Sequence, residues 1–241
     1  MSTSPDARRK EPPERRRVRR FLRDNSLGLA FMSAFLLALA GQAVAGHAEF
    51  NNQLVTDGLA PVGFAAYLAS SDFAVDVTEN WQSEYLQFFL YIFATVWLLQ
   101  RGSSESKELG KAGTESDEEQ RTGSHAHRDS PRLAAEGNWR GILYSRSLGL
   151  VMAVIFLLSW LAQSVAGVAA YNETQLRQLQ APTTWSHYLS SADFWSRSLQ
   201  NWQSELLAVG SMAILAIYLR QRGSPESKPV GAPHDATGVE G

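Results

Sequence analysis

The sequence predicts an all-α membrane protein with four transmembrane helices, formed by tandem duplication of a two-helix unit with a pseudo-twofold axis along the membrane normal. Two observations predict this class: an internal repeat and four long apolar segments. Residues 26–107 return 121 positions later, with SLGL, VAG, NWQSE and RGS-x-ESK in both copies. Of the 86 positions from 22 to 107, 35 are identical in the second copy, which indicates that one unit was doubled.

The apolar segments have the length of membrane-spanning helices or fall just short of it. Residues 25–46 and 148–170 carry no acidic or basic side chain. At about 1.5 Å per residue, roughly 20 residues cross the ~30 Å of bilayer hydrocarbon. The other two segments are long enough only if their helices begin near Asn80 and Asn201, and a buried helix of a soluble domain is their alternative. The predicted spans are 22–46, 80–100, 143–168 and 201–220.

The distribution of positive charge predicts the orientation of these spans. Nine Lys or Arg residues lie in 1–23, eight in 101–146 and three after 219, whereas the connections 47–80 and 168–201 hold none and two. Because cytoplasmic segments are enriched in Lys and Arg, the N-terminus, the central segment and the C-terminus are expected in the cytoplasm. Both copies then enter the membrane in the same direction, as parallel repeats do.

The two charged tails and the central linker are expected to be disordered, because they contain too few apolar residues to form a core. A His-x-His metal clamp at His125 and His127 is an alternative that a solvated linker does not require. The predicted segments are a disordered basic cytoplasmic tail at 1–20, a first two-helix membrane repeat at 21–101, a disordered cytoplasmic linker at 102–138, a second two-helix membrane repeat at 139–222 and a disordered cytoplasmic tail at 223–241.

The basic N-terminus is expected to rest on anionic lipid of the inner leaflet, which attracts nearby Lys and Arg by about 1 kcal/mol each. A rival interpretation is a cleaved signal peptide, since Ala43-Val44-Ala45 offers a small-residue cleavage site after an apolar run. The apolar run is long for a signal peptide, and its counterpart lies inside the chain, where no signal peptide can be. An uncleaved first helix is therefore favoured.

Gln42 and Gln163 are polar residues inside apolar segments, at equivalent positions of the two copies. Each has a small residue four positions earlier and a Gly four positions later, so all three share one helix face. Such a stripe is typical of helix contacts in membranes, where small residues allow close approach and an amide bonds across the contact. The pattern predicts a contact between helices one and three, with a polar lining for a solute path as the alternative.

The NWQSE motifs are predicted to open helices two and four on the outer side. Asn80 and Asn201 then serve as N-caps, and Glu84 and Glu205 lie in first turns, where the positive helix end favours a carboxylate. The alternative is functional: two symmetry-related Glu side chains within membrane spans are candidates for a cation or proton site.

Short amphipathic helices are expected in the outer loops. Phe64, Tyr67 and Leu68 in one copy, and Trp185, Tyr188 and Leu189 in the other, have i, i+3, i+4 spacing. Such helices would lie in the outer interface with their aromatic side toward the lipid. Asp72 and Asp193 would end them or cap the helices that follow.

Enzyme classes find no support in the motifs. The chain has no Cys, no G-x-S-x-G, no H-E-x-x-H and no phosphate loop, and no His occupies equivalent positions in both copies. We therefore expect a protein that is not an enzyme, with no metal or cofactor. The basic N-terminus alone is too small a signal for nucleic-acid binding.

HAEFN after the first helix, NWQSE, and RGSSESK or RGSPESKPV after the even helices resemble an uncharacterised family of small bacterial integral membrane proteins, a family of domains of unknown function. The resemblance covers the chain from about Phe21 onward. It implies a multi-pass protein of the bacterial plasma (inner) membrane, and it implies no activity, cofactor or catalytic residue.

Two hypotheses for function follow from these patterns. The first is a non-enzymatic membrane protein with a structural or interaction role in the cell envelope, whose partners are the lipid bilayer and a second copy or another membrane protein. The alternative is a small transporter or channel component that uses Glu84 and Glu205 as an outward-facing acidic site. The two hypotheses differ in whether four polar side chains converge on a hydrated cavity or are spread over separate contacts, namely those of Gln42, Gln163, Glu84 and Glu205. The candidate functional polar residues are these four together with Asn80 and Asn201.

Overall fold

A computed structural model describes residues 13–239, and within that range the chain is helical and contains no strand. This confirms the all-α class. Predictions for residues 1–12 and 240–241 lie outside the described residues. The α-helices are α1 (Pro13–Asp24), α2 (Ser26–Thr56), α3 (Phe64–Leu68), α4 (Ser71–Trp97), α5 (Trp139–Ser145), α6 (Ser147–Arg177), α7 (Trp185–Tyr188) and α8 (Ala192–Tyr218); two 3-10 helices, Gly123–His125 and Arg132–Ala135, lie in the linker.

The helices follow the same order in both copies of the repeat. α2 and α6 each have 31 residues, and α4 and α8 each have 27. All four extend further than the sequence predicts at the ends that were predicted to face outward, which are called the outer ends. α2 and α6 end about ten residues later, and α4 and α8 begin about ten residues earlier. Polar residues ended the predicted spans, but they do not end the helices, because the backbone hydrogen bonds of a helix continue through polar positions.

Two of the described helices, α2 and α6, are long and apolar enough to cross a membrane by length and composition. In their most apolar stretches only 6% and 22% of the residues are buried. A core helix of a soluble protein would be mostly buried, so exposed apolar helices of this length suggest association with a membrane.

The chain divides into two units, residues 1–69 and 70–241. In the first unit the chain turns back after α2, and α3 packs against α2. The Asn51 side chain holds this turn, because its amide donates to the Val62 carbonyl at 3.0 Å and its oxygen accepts from the Val62 N–H at 2.8 Å. Tyr67 is 2% exposed and lies against Gly46, where a Cβ would stand 3.0 Å from the ring.

The second unit repeats this outer turn with the equivalent residues. Asn172 bonds both backbone groups of Thr183, at 2.9 and 2.7 Å. Tyr188 is 1% exposed and lies on Gly167, where a Cβ would stand 2.5 Å from the hydroxyl oxygen. In each copy, the tyrosine of the short helix therefore packs on the glycine of the preceding VAG motif. Both predicted short helices form.

Three long helices pack together in the second unit. α4 and α6 are antiparallel, since Ile92 near the end of α4 lies by Gly149 at the beginning of α6, while Asp72 at the beginning of α4 is within electrostatic range of Glu173 near the end of α6. α4 and α8 are parallel, because the side-chain contacts between them follow in the same order along both helices. Aromatic rings join α6 to α8, including Trp160 and Phe194 with centroids 5.9 Å apart.

The segments expected to be disordered contain more structure than their composition indicates. Residues 13–20 belong to α1. The beginning of the linker is held to α4 by a hydrogen bond from the Gly113 N–H to the Val96 carbonyl at 2.7 Å. In the C-terminal segment, Lys228 is 1% exposed. Composition does not reveal the contacts of the linker and the C-terminal segment, because they are hydrogen bonds to backbone carbonyls and not an apolar core.

The packing of Tyr188 on Gly167 can be tested directly. Gly167→Ala should destabilise the protein by about 1–3 kcal/mol, because the added methyl group collides with the Tyr188 side chain. Gly210→Ala in α8 is the matched control, since nothing lies within 4 Å of its Cβ position. Thermal unfolding of the purified protein measures the difference.

Tyr188→Phe combined with Gly167→Ala should recover part of the loss, because it removes the oxygen nearest to the new methyl group. Equal unfolding temperatures for Gly167→Ala and Gly210→Ala would contradict the packing of Tyr188 on Gly167.

Candidate functional site

Serine side chains cap the two helices that carry NWQSE. The Ser70 hydroxyl accepts from the Phe73 N–H and the Ser191 hydroxyl from the Phe194 N–H, both at 3.2 Å. These bonds satisfy backbone donors that have no partner inside the helix. Both serines are retained between the copies, and they fix the beginnings of α4 and α8 ten residues before NWQSE.

The prediction that NWQSE opens these helices is therefore wrong. Asn80 and Asn201 lie in the third turn, and each side-chain amide donates to the carbonyl four residues earlier, at 2.7 and 3.0 Å. Glu84 and Glu205 lie more than three turns into their helices. The helix dipole acts within the first turn, so it does not account for these two carboxylates.

Gln82, inside the first NWQSE, joins α4 to α8. It is fully buried, and its oxygen accepts from the Trp202 ring N–H at 2.7 Å. Trp202 also contacts the rings of Phe156 and Trp160 in α6, with centroids 6.5 and 5.7 Å away. One tryptophan of the second NWQSE therefore links all three long helices of this unit.

The two NWQSE motifs have different surroundings although their sequences are identical. Gln82 and Ser83 are buried, whereas their counterparts Gln203 and Ser204 are exposed. Sequence identity between copies therefore does not give these residues identical contacts.

Gln163 is 1% exposed on α6, with Ser159 and Gly167 also buried along the same helix. The small-residue stripe is thus a packed face, and the helix that packs along α6 is α4. The contact between helices one and three stays a prediction. Neither polar atom of the Gln163 amide has a hydrogen-bond partner within residues 13–239, and the Nε2 of Gln82 also lacks one. The predicted amide bond across the contact is not formed. Gln42 is half-buried on α2.

Glu84 and Glu205 come within electrostatic range of each other on the parallel helices α4 and α8. Glu205 is half-buried and Glu84 is exposed. Within the described part of the chain, neither carboxylate has a hydrogen-bond or ion-pair partner. Two like charges that repel, with no cation beside them, are a feature that packing alone does not require.

An acidic face lies at the outer end of α4, before the predicted span. Asp72, Asp76 and Glu79 are spaced i, i+4, i+7 and so share one helix face. Arg197 of α8 bonds Glu79 at 3.1 Å and reaches Asp193 at 3.6 Å. The pair with Glu79 holds α8 beside α4, whereas the pair with Asp193 lies within α8.

Carboxylates outnumber arginines around this face. Burial raises the pKa of Asp72, Asp76 and Glu79 above their ordinary values, and the Arg197 charge offsets only part of this for Asp76 and Glu79. The groups that face each other are five carboxylates and two guanidinium groups: Asp72, Asp76, Glu79, Glu173, Asp193, Arg177 and Arg197.

The repeated QRGS-x-ESK segments form matching turns at the C-terminal ends of α4 and α8, which are predicted to face the cytoplasm and are called the inner ends. The hydroxyls of Ser106 and Ser227 accept from the N–H groups of Gln100 and Gln221, both at 2.9 Å. The Lys228 ammonium, with three N–H donors, lies 2.6–3.1 Å from four backbone carbonyl oxygens, one of which belongs to the first of the two turns. These carbonyls belong to Gly102, Pro233, His234 and Ala236.

A cavity of about 510 Å³ opens beside these turns. Its charged walls pair with one another, since Lys107 bonds Glu115 and Lys111 bonds Glu108. The Tyr91 hydroxyl donates to Glu105 at the same place. This cavity lies between the two inner turns.

For the metal alternative, no group of three or more His, Cys, Asp or Glu residues within 13–239 is arranged to hold an ion. His125 ends a 3-10 helix of the linker and His127 follows it. A His-x-His pair therefore finds no third ligand among the described residues.

A family model for a domain of unknown function, DUF6766, matches residues 18–239. The chain belongs to the DUF6766 family. This confirms the resemblance to an uncharacterised family. No curated protein and no solved structure matches the chain.

Sequence reasoning missed the residues that build the outer turns. Asn51, Asn172, Ser70 and Ser191 are polar and identical in both copies, and each bonds backbone groups that would otherwise lack a partner. The signal was present, since polar identity between diverged copies marks positions under constraint. These residues lie outside the apolar segments, so hydropathy and membrane depth do not single them out.

The raised carboxyl pKa values predict that Asp76 costs stability at neutral pH. A carboxyl group whose pKa is higher in the folded state favours folding most when protonated, so its contribution is lost as pH rises through that pKa. Asp76→Asn should therefore unfold at a higher temperature than the wild type at pH 7.5, and at the same temperature near pH 4. The effect should stay below about 1 kcal/mol, because half-exposed charges are screened by solvent.

Asp129→Asn in the exposed linker is the control and should leave the pH profile unchanged. A loss of stability in Asp76→Asn that is greater at pH 7.5 than at pH 4 would show that the ion pairs outweigh burial.

Proposed function

We propose that the chain is a multi-pass protein of the bacterial plasma membrane that crosses the bilayer four times, with both termini in the cytoplasm. α2 and α6 provide two spans of suitable length and composition. α4 and α8 have 27 residues each, or ~40 Å at about 1.5 Å per residue. Since this length exceeds the ~30 Å of bilayer hydrocarbon, their acidic outer turns can stand in water while the apolar remainder crosses.

Tandem duplication supports this topology. The order and lengths of the helices recur in the two copies. The outer turns also repeat the same contacts: Asn51 and Asn172 bond the backbone across the turn, and a tyrosine packs on Gly46 or Gly167. α4 and α8 run in the same direction, as parallel repeats require.

Its role is non-enzymatic and depends on structure and interactions in the cell envelope. The observation that carries this proposal is the use of the residues that the two copies share. Asn51, Tyr67, Ser70 and their counterparts bond or pack against the chain itself, and so maintain the helix arrangement. The partners that fit are the lipid bilayer, anionic lipid at the basic N-terminus, and a second copy or another membrane protein; nucleic acid is not among them.

A second candidate is a transporter or channel component, with Glu84 and Glu205 as its acidic site. The specific observation in its favour is that these carboxylates approach each other without a partner of opposite charge. Charged groups within spans mark ion and proton paths in membrane proteins.

The topology can be tested with reporter fusions. Reporters after Arg101 and at the C-terminus should report the cytoplasm, and reporters at Asp57 and Gln178 should report the outer side, because Lys and Arg concentrate on one side only. Enzymatic activity of compartment-specific reporters measures this. A reversed or three-span pattern would overturn the proposed topology.

The Glu84→Gln/Glu205→Gln double variant distinguishes the two functions. If the role is structural, the variant should insert normally, and its free energy of unfolding should be about 1 kcal/mol higher than that of the wild type. The reason is that repulsion between two nearby carboxylates is removed. The wild type should then melt at the same temperature at all cation concentrations. Glu118→Gln in the exposed linker is the matched control.

If the carboxylates bind a cation, a concentration near 100 times Kd should stabilise the wild type by about 2.7 kcal/mol, and not the double variant. Cation-dependent melting of this kind, together with flux into vesicles, would replace the structural role with the transporter role.

A further inference from the structure

Helix α5 presents an apolar stripe that no described part of the chain covers. Trp139, Ile142 and Leu143 are 68%, 55% and 51% exposed. Their i, i+3, i+4 spacing puts them on one face of the helix. On the opposite face, Gly141 lies against the chain that precedes the helix: a Cβ there would collide with the carbonyl oxygen of Glu136, which ends the preceding 3-10 helix. The turn therefore holds α5 with its apolar stripe facing outward.

α1 has the same character in the first copy. Val18, Phe21 and Leu22, each 121 positions before a stripe residue of α5, are 58%, 58% and 52% exposed. The other faces of α1 are strongly basic, with Arg15, Arg16, Arg17, Arg19, Arg20 and Arg23. An apolar stripe beside a basic face is the pattern of a helix that lies in the surface of a membrane.

A break of the same geometry follows each of these helices. Asn25, between α1 and α2, has φ −118° and ψ 16°, and Arg146, between α5 and α6, has φ −117° and ψ 6°. These angles lie outside the α-helical region. The two amphipathic helices are thus separated, at equivalent residues, from the two most apolar helices of the chain.

We propose that α5 is a surface anchor that lies on anionic phospholipid of the cytoplasmic leaflet, and that α1 is its counterpart in the first copy. The proposal rests on the membrane topology proposed above, which places the beginnings of α2 and α6 at that leaflet. It extends the lipid contact from the basic N-terminus to the end of the linker, so that each copy of the repeat has an anchor before its most apolar helix.

Charge complementarity selects anionic lipid as the occupant. The Arg140 guanidinium lies 5.6 Å from the centre of the Trp139 ring, beside the stripe. Arg146 follows the stripe directly. A second copy docked stripe to stripe would bring these arginines against arginines, and like charges repel. Phosphate headgroups accept hydrogen bonds from guanidinium, while the acyl boundary receives the indole and the aliphatic side chains.

The chain has no Cys, so a single introduced Cys carries a unique fluorescent probe. The full chain with Ile142→Cys, labelled with an environment-sensitive dye, is reconstituted into vesicles of phosphatidylcholine alone or mixed with phosphatidylglycerol. The matched control is Ser145→Cys, which lies off the stripe. Leu157→Cys on the exposed side of α6 reports membrane insertion independently.

With phosphatidylglycerol present, the emission at 142 should shift to shorter wavelength and resist quenching by iodide, while the probe at 145 stays quenchable. Raising salt from about 0.15 M to 1 M should reduce this protection, because the Debye length falls from about 8 Å to 3 Å. Arg140→Gln should weaken the dependence on phosphatidylglycerol. Val18→Cys should behave as Ile142→Cys does, and Trp139→Cys repeats the test if Ile142→Cys is poorly folded.

A probe at 142 that is quenched in both lipids, while the probe at 157 is shielded, would overturn the anchor and leave the membrane spans standing. Quenching at both positions would overturn the spans themselves. Protection at 142 that persists in detergent and without phosphatidylglycerol would show a protein contact, such as a second copy, in place of anionic lipid. Protection that is equal in both lipids, but lost in detergent, would overturn the requirement for negative charge.

Discussion

The outer turn depends on satisfying backbone polar groups where a long helix ends and the chain reverses. Asn51 and Asn172 each bond both the N–H and the carbonyl of one residue across the turn, so the turn needs no sheet or further helix to complete it. The same turn places Tyr67 or Tyr188 on a glycine of the preceding helix. With these contacts made, Ser70 and Ser191 are positioned to begin the next long helix.

The three long helices of the second unit are aligned by polar contacts of different kinds. Arg197 pairs with Glu79 in the acidic outer part of α4, and Trp202 bonds Gln82 deeper along the same helix. Arg197 occupies the position equivalent to Asp76 in the first copy. The two helices thus carry opposite charges at equivalent positions, which favours pairing of α4 with α8 over the repulsion that identical charges would cause.

The buried amides and the unpaired carboxylates show where this arrangement is not fully satisfied. Gln163 lacks both hydrogen-bond partners among the described residues, and Gln82 uses only its oxygen. Buried polar groups without partners cost free energy, and the counterparts Gln203 and Gln42 avoid this cost, since Gln203 is exposed and Gln42 is half-buried. The approach of Glu84 to Glu205 has the same character. These residues are where a structural role and an ion-binding role would differ physically.

The sequence by itself determined the helical class, the two most apolar helices and the short helices of the outer turns, because each follows from local periodicity or composition. It also marked NWQSE and the Gln stripes as constrained. It misplaced the beginnings of α4 and α8, since a Ser cap and a helix that continues through charged residues give no hydropathy signal. Tertiary structure alone decided that α4 packs along α6, that Gln82 is buried while Gln203 is exposed, and that Lys228 binds carbonyls of distant segments. Such choices depend on which surfaces meet in space, and two copies of the same motif can meet different surfaces.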